Sequence, residues 1–127
     1  MKPLTREWVE KAEGDWLTAR REFEADPSPN FDAVCFHAQQ CAEKYLKAVL
    51  QEHAMPFLRT HRLDVLLDLL GNAEPALVPL RSEATQLSTL AISTRYPGMK
   101  ADQALAEQAC RICDRMRKAG RRCLGAD

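Results

Sequence analysis

Aromatic residues are scarce in this chain, at 6% of its 127 residues. That scarcity favours helices packed through aliphatic and alanine side chains over a sheet sandwich. Net charge is also missing, because eighteen basic residues balance eighteen acidic ones. A protein that grips nucleic acid draws its affinity chiefly from phosphate neutralisation. The balance therefore disfavours nucleic acid as the main partner, while leaving room for a local basic site. No run approaches the roughly 20 apolar residues that a membrane span requires. The opening Met1-Lys2-Pro3-Leu4-Thr5-Arg6-Glu7 lacks the apolar core of a signal peptide, so no membrane association is expected. The five cysteines are odd in number and mostly fall within helical patterns, which points to reduced thiols in the cytoplasm.

What the chain does have is helical periodicity almost throughout, with no alternating run of strand length. Hydrophobic residues at 46% and charged residues at 28% are ordinary for a globular protein. The length suits one domain, residues 1–127, large enough to bury a real core. A first helix is expected from about Thr5 to Phe23, burying Trp8, Ala12, Trp16, Ala19 and Phe23, with Asp15 at the edge of that stripe. Asp26-Pro27-Ser28-Pro29-Asn30 breaks it. Ser28 or Asn30 can cap a second helix running to about His53. After the connector Met55-Pro56-Phe57, Thr60 is a plausible cap for a short helix ended by Gly71. Pro75 and Pro79 frame the start of a fourth helix, Tyr96-Pro97-Gly98 forms a turn, and a last helix runs from about Asp102 to Arg122. Four long helices with short connections predict an all-α, antiparallel, up-and-down four-helix bundle with one additional short helix.

The second helix is the most informative stretch. At about 100° per residue, Val34, Cys35, Ala38, Cys41, Ala42, Tyr45, Leu46, Ala48, Val49 and Leu50 fill one broad apolar arc. Phe36, Gln40, Glu43, Lys44, Lys47 and Gln51 occupy the remaining wedge. A helix apolar over so much of its circumference must be covered on at least two sides. The wedge is thus expected to line a seam, and the arc to drive self-association into a dimer.

Read as a motif, Phe36-His37-Ala38-Gln39-Gln40-Cys41-Ala42-Glu43-Lys44-Tyr45-Leu46-Lys47-Ala48, then Thr60-His61-Arg62-Leu63, then Arg95-Tyr96-Pro97-Gly98 resembles the HEPN family, in the expected order and over nearly the whole chain. Trp8 and Ala12-Glu13-Gly14-Asp15 look like that family's first helix. The resemblance implies a small stand-alone domain that binds a nucleotide or pairs with a minimal nucleotidyltransferase, as in a toxin–antitoxin system. The family also includes ribonuclease toxins that use an arginine and a histidine a few residues apart on or near the last helix. The three histidines here are His37, His53 and His61. None lies in the last helix, so no catalytic residue is assigned.

Several constellations could carry a site. Gln40, Glu43, Lys44 and Lys47 share one helix face; the lysines could meet phosphate while Gln40 reads a base or sugar edge. The plainer reading is a Glu43–Lys47 pair worth about 0.2–0.5 kcal/mol within a structural seam. His61 could exchange a proton or pin the short helix to the bundle, and His37 is a weaker version of the same case. Arg95 and Tyr96 could clamp an anion, or Arg95 could simply complement a helix terminus. Asp15 is a plausible counter-charge for Lys44, Lys47 or Arg95. Cys110 and Cys113, with Cys35, Cys41 and Cys123, invite a zinc reading, but Cys113 and Cys123 fall on the inner face of one continuous helix with Cys110 at its flank. Small buried thiols account for that better than tetrahedral zinc, and no metal or cofactor is expected. Arg111, Arg115, Arg117, Lys118, Arg121 and Arg122 make the last helix basic on its outer side, without the interleaved aromatics that stack bases.

The leading expectation is a non-catalytic binding or partner module with Gln40, Glu43, Lys44, Lys47, His61, Arg95 and Tyr96 around its ligand, supported by Asp15 and His37. The alternatives are a metal-independent ribonuclease toxin using His61 with Arg95, and a purely structural oligomerisation domain.

Overall fold

Proline at the first turn of a helix forfeits no hydrogen bond, because that N–H has no partner inside the helix. The computed structural model, which describes residues 1–126, accordingly starts helix α1 at Pro3, before the expected Thr5, and carries it to Phe23. The other α-helices are α2 (Phe31–Glu52), α3 (Leu63–Leu70), α4 (Arg81–Ser93) and α5 (Gln103–Cys123), with 3-10 turns at Gly71–Ala73 and Pro75–Leu80. Among the described residues there is no strand, and no helix is long and apolar enough to cross a membrane.

Local chemistry explains the boundaries. Asn30 caps α2, its side chain accepting from the Ala33 N–H at 3.1 Å, and Asp102 caps α5 by accepting from the Leu105 N–H at 2.8 Å. Thr60 does not cap α3. Its hydroxyl accepts from the Arg62 N–H at 3.2 Å and closes a turn just ahead of the helix, so Arg62 takes the cap position with no side-chain bond. The segment expected to open the fourth helix instead winds as a 3-10 turn containing Pro79. Proline withholds a donor and crowds the carbonyl of the preceding turn, and the α-helix begins only at Arg81.

Helix α2 is the axis of the bundle. Thirteen of its 22 residues are buried, and they include every member of the predicted apolar arc. It packs most extensively on α1, next on α5, and also against α4 and α3. One chain therefore covers the whole apolar arc of α2. The apolar arc does not need a second copy to be buried, because α3 and α4 pack on α2 as well as α1 and α5. Leu46 and Leu50 are almost wholly buried, each contributing about 1.5–3 kcal/mol by leaving water.

Two polar ties hold the long helices in register. At one end, Glu52 of α2 accepts from the Lys2 N–H at 2.9 Å and the Thr5 hydroxyl at 3.0 Å. Further along, Glu13 takes Arg117 through two bonds of 2.7 and 2.8 Å and also accepts from the Tyr45 hydroxyl, to which Arg121 donates at 3.1 Å. Gly120 lets α5 approach the same ring, since a Cβ there would lie 3.2 Å from Tyr45 Cδ1.

All five cysteines are free. Cys110, expected at the helix flank, is buried at 4% exposure, packed with Ala19, Val34 and Ala106. Burial pushes the Cys35 thiol up to about 11. Among the described residues, no group of three or more His, Cys, Asp or Glu side chains is placed to hold a metal ion.

Candidate functional site

Phe36, Gln40, Glu43 and Lys47 lie four, three and four residues apart, so they form one ridge of α2. The segment between α2 and α3 crosses this ridge. At its centre Glu43 is 3% exposed and Lys47 7%. Glu43 Oε2 accepts from Lys47 Nζ at 2.9 Å, and Glu43 Oε1 lies 2.9 Å from His61 Nδ1. An ionised carboxylate only accepts, so the geometry suits a His61 tautomer with its hydrogen on Nδ1. The Nε2 edge then faces outward, as the 77% exposure of that side chain requires.

Two further contacts fasten this core. The Gln39 amide donates to the His61 backbone carbonyl at 2.7 Å, and Gln40 Nε2 donates to Gln39 Oε1 at 3.2 Å. The connector is thus pinned to α2 through both the ring and the main chain of His61. Lys47 Nζ also sits 5.6 Å from the centre of the Trp8 ring and 5.9 Å from that of Phe57, and those two rings meet edge to face at 6.0 Å. An ammonium over aromatic faces is attracted by the ring quadrupole. The buried cation therefore has one carboxylate and two rings as its surroundings, which is how a charge tolerates burial.

Above Lys47 opens a pocket of about 470 Å³, walled by Trp8, Phe57 and Leu58, with Arg59, Thr60 and His61 at its rim. Arg59 has no acidic partner among the described residues, and Leu58 is 81% exposed.

The other predicted residues fall elsewhere. Asp15 does not pair with Lys47 or Arg95. It takes Lys44 on one oxygen and, at 2.9 Å on the other, His37, tying α1 to α2 in a separate cluster. Arg95 stacks over the Phe36 ring at 5.3 Å and makes no hydrogen bond to His61. Tyr96 is 64% exposed on the turn after α4. The candidates thus divide into three groups: Glu43, Lys47, His61 and Gln40 in one, Asp15, Lys44 and His37 in a second, and Arg95 and Tyr96 after α4 in a third. Lys44 and Lys47 each already hold a carboxylate. The basic outer side of α5 is likewise largely spoken for: Arg115 pairs with Glu83, Lys118 with Asp114, and Arg117 with Glu13 and Asp114.

Gln39, Trp8, Phe57 and Arg59 complete the site without having stood out in the sequence as site residues. Gln39 carried a faint signal, being a polar residue four positions before Glu43 in a mostly apolar helix. Trp8 looked like ordinary core, and Phe57 and Arg59 like parts of a plain connector.

The chain matches the family model for the HEPN domain over residues 5–123. Among solved structures, TT1696 from Thermus thermophilus superposes with a TM-score of 0.80, covering 94% of this chain and 97% of that one at 20% identity, a likeness of fold. ST0689, an archaeal HEPN homologue, is 28% identical, with a TM-score of 0.59 over 98% of this chain and 94% of its own. No curated protein matches.

Proposed function

Because this chain belongs to the HEPN domain family, we propose that it is a non-catalytic recognition module, binding a nucleotide or a protein partner and working beside a minimal nucleotidyltransferase in a toxin–antitoxin-like pair. The observation that carries this reading is the internal saturation of the ridge. Glu43 and Lys47 neutralise one another, Gln39 donates to the connector and accepts from Gln40, and an open pocket lies over Lys47 with Arg59 and the outer edge of His61 at liberty on its rim. Such an arrangement holds a shape and offers a surface for binding. It does not assemble His61 with Arg95, the pair that an improvised nuclease site would need. Self-association into a dimer rests on weaker ground than the apolar arc of α2 promised; its remaining support is the exposed apolar set Ile92, Tyr96 and Met99 around the α4–α5 turn. Co-purification with a minimal nucleotidyltransferase encoded beside this chain, together with calorimetric titration of AMP, ATP and GTP, tests the proposal. If neither the enzyme nor any of the nucleotides binds, it is wrong.

An enzymatic reading draws on one specific feature. A buried carboxylate that holds Nδ1 of an exposed imidazole leaves Nε2 oriented to exchange a proton. Incubation with RNA in the absence of metal discriminates: cleavage that disappears in His61→Ala would favour a ribonuclease over a binding module.

A further inference from the structure

Leu58 is the most exposed large apolar side chain among the described residues, at 81%, and it stands on the lip of the pocket above Lys47. A solitary exposed leucine needs no explanation. This one continues an apolar wall made by Trp8 and Phe57, and the next residue, Arg59, is a cation with no acidic partner among the described residues. Among the described residues no carboxylate lines the pocket, and Glu43, the partner of Lys47, has both oxygens occupied. A ligand that fits must therefore bring an apolar group for the wall and a negative charge for the rim.

Two chemistries meet that description, a nucleotide and an acidic, apolar peptide, and the details favour the peptide. Trp8 and Phe57 meet edge to face at an interplanar angle of 63°, so they present no parallel slot into which a base could slide and stack. Among the described residues, no side-chain amide lines the pocket to read a base edge. The Thr60 hydroxyl is engaged by the Arg62 N–H, and Gln39 and Gln40 are committed to His61 and to each other. The charge count points the same way. With Lys47 neutralised by Glu43, the rim offers Arg59 and a neutral or protonated His61, which suits a carboxylate better than a polyphosphate. An irregular aliphatic and aromatic hollow beside a guanidinium also matches how protein interfaces seat an anchor side chain.

From this we infer that the pocket between α1 and the α2–α3 connector is a docking site for a partner protein segment in which an apolar residue adjoins an aspartate or glutamate. The inference rests on the reading of this chain as a partner module and specifies which surface the partner takes. Leu58 supplies the contact that shields the anchor from water, Arg59 takes the carboxylate, and the Glu43–Lys47–His61 assembly keeps the connector in place beneath them.

The test is a selection from a random-peptide display library on the full chain, run in parallel on Leu58→Asp/Arg59→Glu. Both positions are exposed, so the double variant keeps the fold. The expected result is enrichment of peptides with an apolar residue next to Asp or Glu, whose synthetic versions bind the variant roughly tenfold more weakly or worse. Failure to enrich any such class, or equal binding to the variant, overturns the inference. Titration of AMP and ATP against the same two proteins separates the alternatives. Nucleotide binding that depends on Leu58 and Arg59 would make the pocket a small-anion site; the docking inference would fall while the nucleotide half of the proposed function stood. Light scattering at saturating peptide covers the remaining occupant, because dissociation of a dimer by the peptide would make the pocket an interface between copies and overturn the inference. Peptide binding without any nucleotide or nucleotidyltransferase binding would instead retire the proposed function and leave the docking surface standing.

Discussion

Lys47 and Glu43 form an ion pair at 2.9 Å whose two side chains are 9% and 3% exposed. On an exposed helix, a pair four residues apart is worth only about 0.2–0.5 kcal/mol. Burial changes that arithmetic, since each charge has surrendered its water and depends on the other. Removing one partner then leaves an uncompensated buried charge, at a cost of about 3–5 kcal/mol.

Lys47→Ala is accordingly expected to lower unfolding stability by a few kcal/mol, far beyond the exposed-pair value. Glu43→Leu/Lys47→Met should recover most of that loss, because replacing both charges with apolar groups of similar volume removes the desolvation problem. Urea denaturation of the three proteins measures it. A Lys47→Ala loss below about 0.5 kcal/mol would show that the pair is solvated after all.

Gly120→Ala sets two effects against one another. Alanine gains roughly 1 kcal/mol of helix propensity over glycine. The new Cβ would stand 3.2 Å from Tyr45 Cδ1, and this ring cannot easily yield because its hydroxyl is held by Glu13 and Arg121. Overpacking of that kind costs about 1–3 kcal/mol, so a net loss on the order of 1 kcal/mol is expected in thermal unfolding. In a Tyr45→Phe background, where the ring is released, the same substitution should cost less.

Acid stability reports on Glu13. Burial raises the pKa of this carboxyl, but the bonds from Arg117 and Tyr45 and the charges of Arg117 and Arg121 outweigh it, leaving the group below its ordinary value of 4.5. A carboxylate depressed in the folded state contributes stability that is full above the unfolded value and is lost as pH falls through the folded one. The wild-type protein should therefore lose stability below about pH 4.5 more steeply than Glu13→Gln. Equal slopes in urea titrations across that range would refute the role given to Glu13.

Thiol labelling tests the core. Burial, with a contribution from Asp32, lifts Cys35 to about 11, and burial followed by a hydrogen bond to Glu74 lifts Cys123 to about 12. Thiolate is the reactive species, so at pH 8 both should label far more slowly in the native protein than in urea. Rapid native labelling of Cys35 would mean that α2 and α5 part readily at that end.

Helical periodicity was enough to predict the bundle, since the spacing of apolar residues along each helix is a local property that packing then exploits. Asn30, one of two candidates with Ser28, took the cap of α2 for the same reason. Thr60 did not behave as its type suggested, because a hydroxyl can serve either a cap or a turn and the choice depends on where the chain must go next. The extent of α2's apolar arc was legible, but what covers it was not. Coverage depends on α3 and α4 crossing back, which is a matter of topology.

The site divides along the same line. Glu43 and Lys47 could be paired from their spacing, since helix geometry places such side chains together in any context. Their burial, the capture of His61 by Glu43, and the division of Asp15, Lys44 and His37 from Arg95 and Phe36 are contacts between segments far apart in sequence. Trp8, Phe57 and Arg59 belong with them, each ordinary in its own stretch and meaningful only once the connector is laid against α1. Local periodicity and side-chain chemistry were sufficient for helices and for neighbours within a turn. Which distant charges neutralise each other, and which are left facing water, followed from the long-range packing that decides what every buried group can reach.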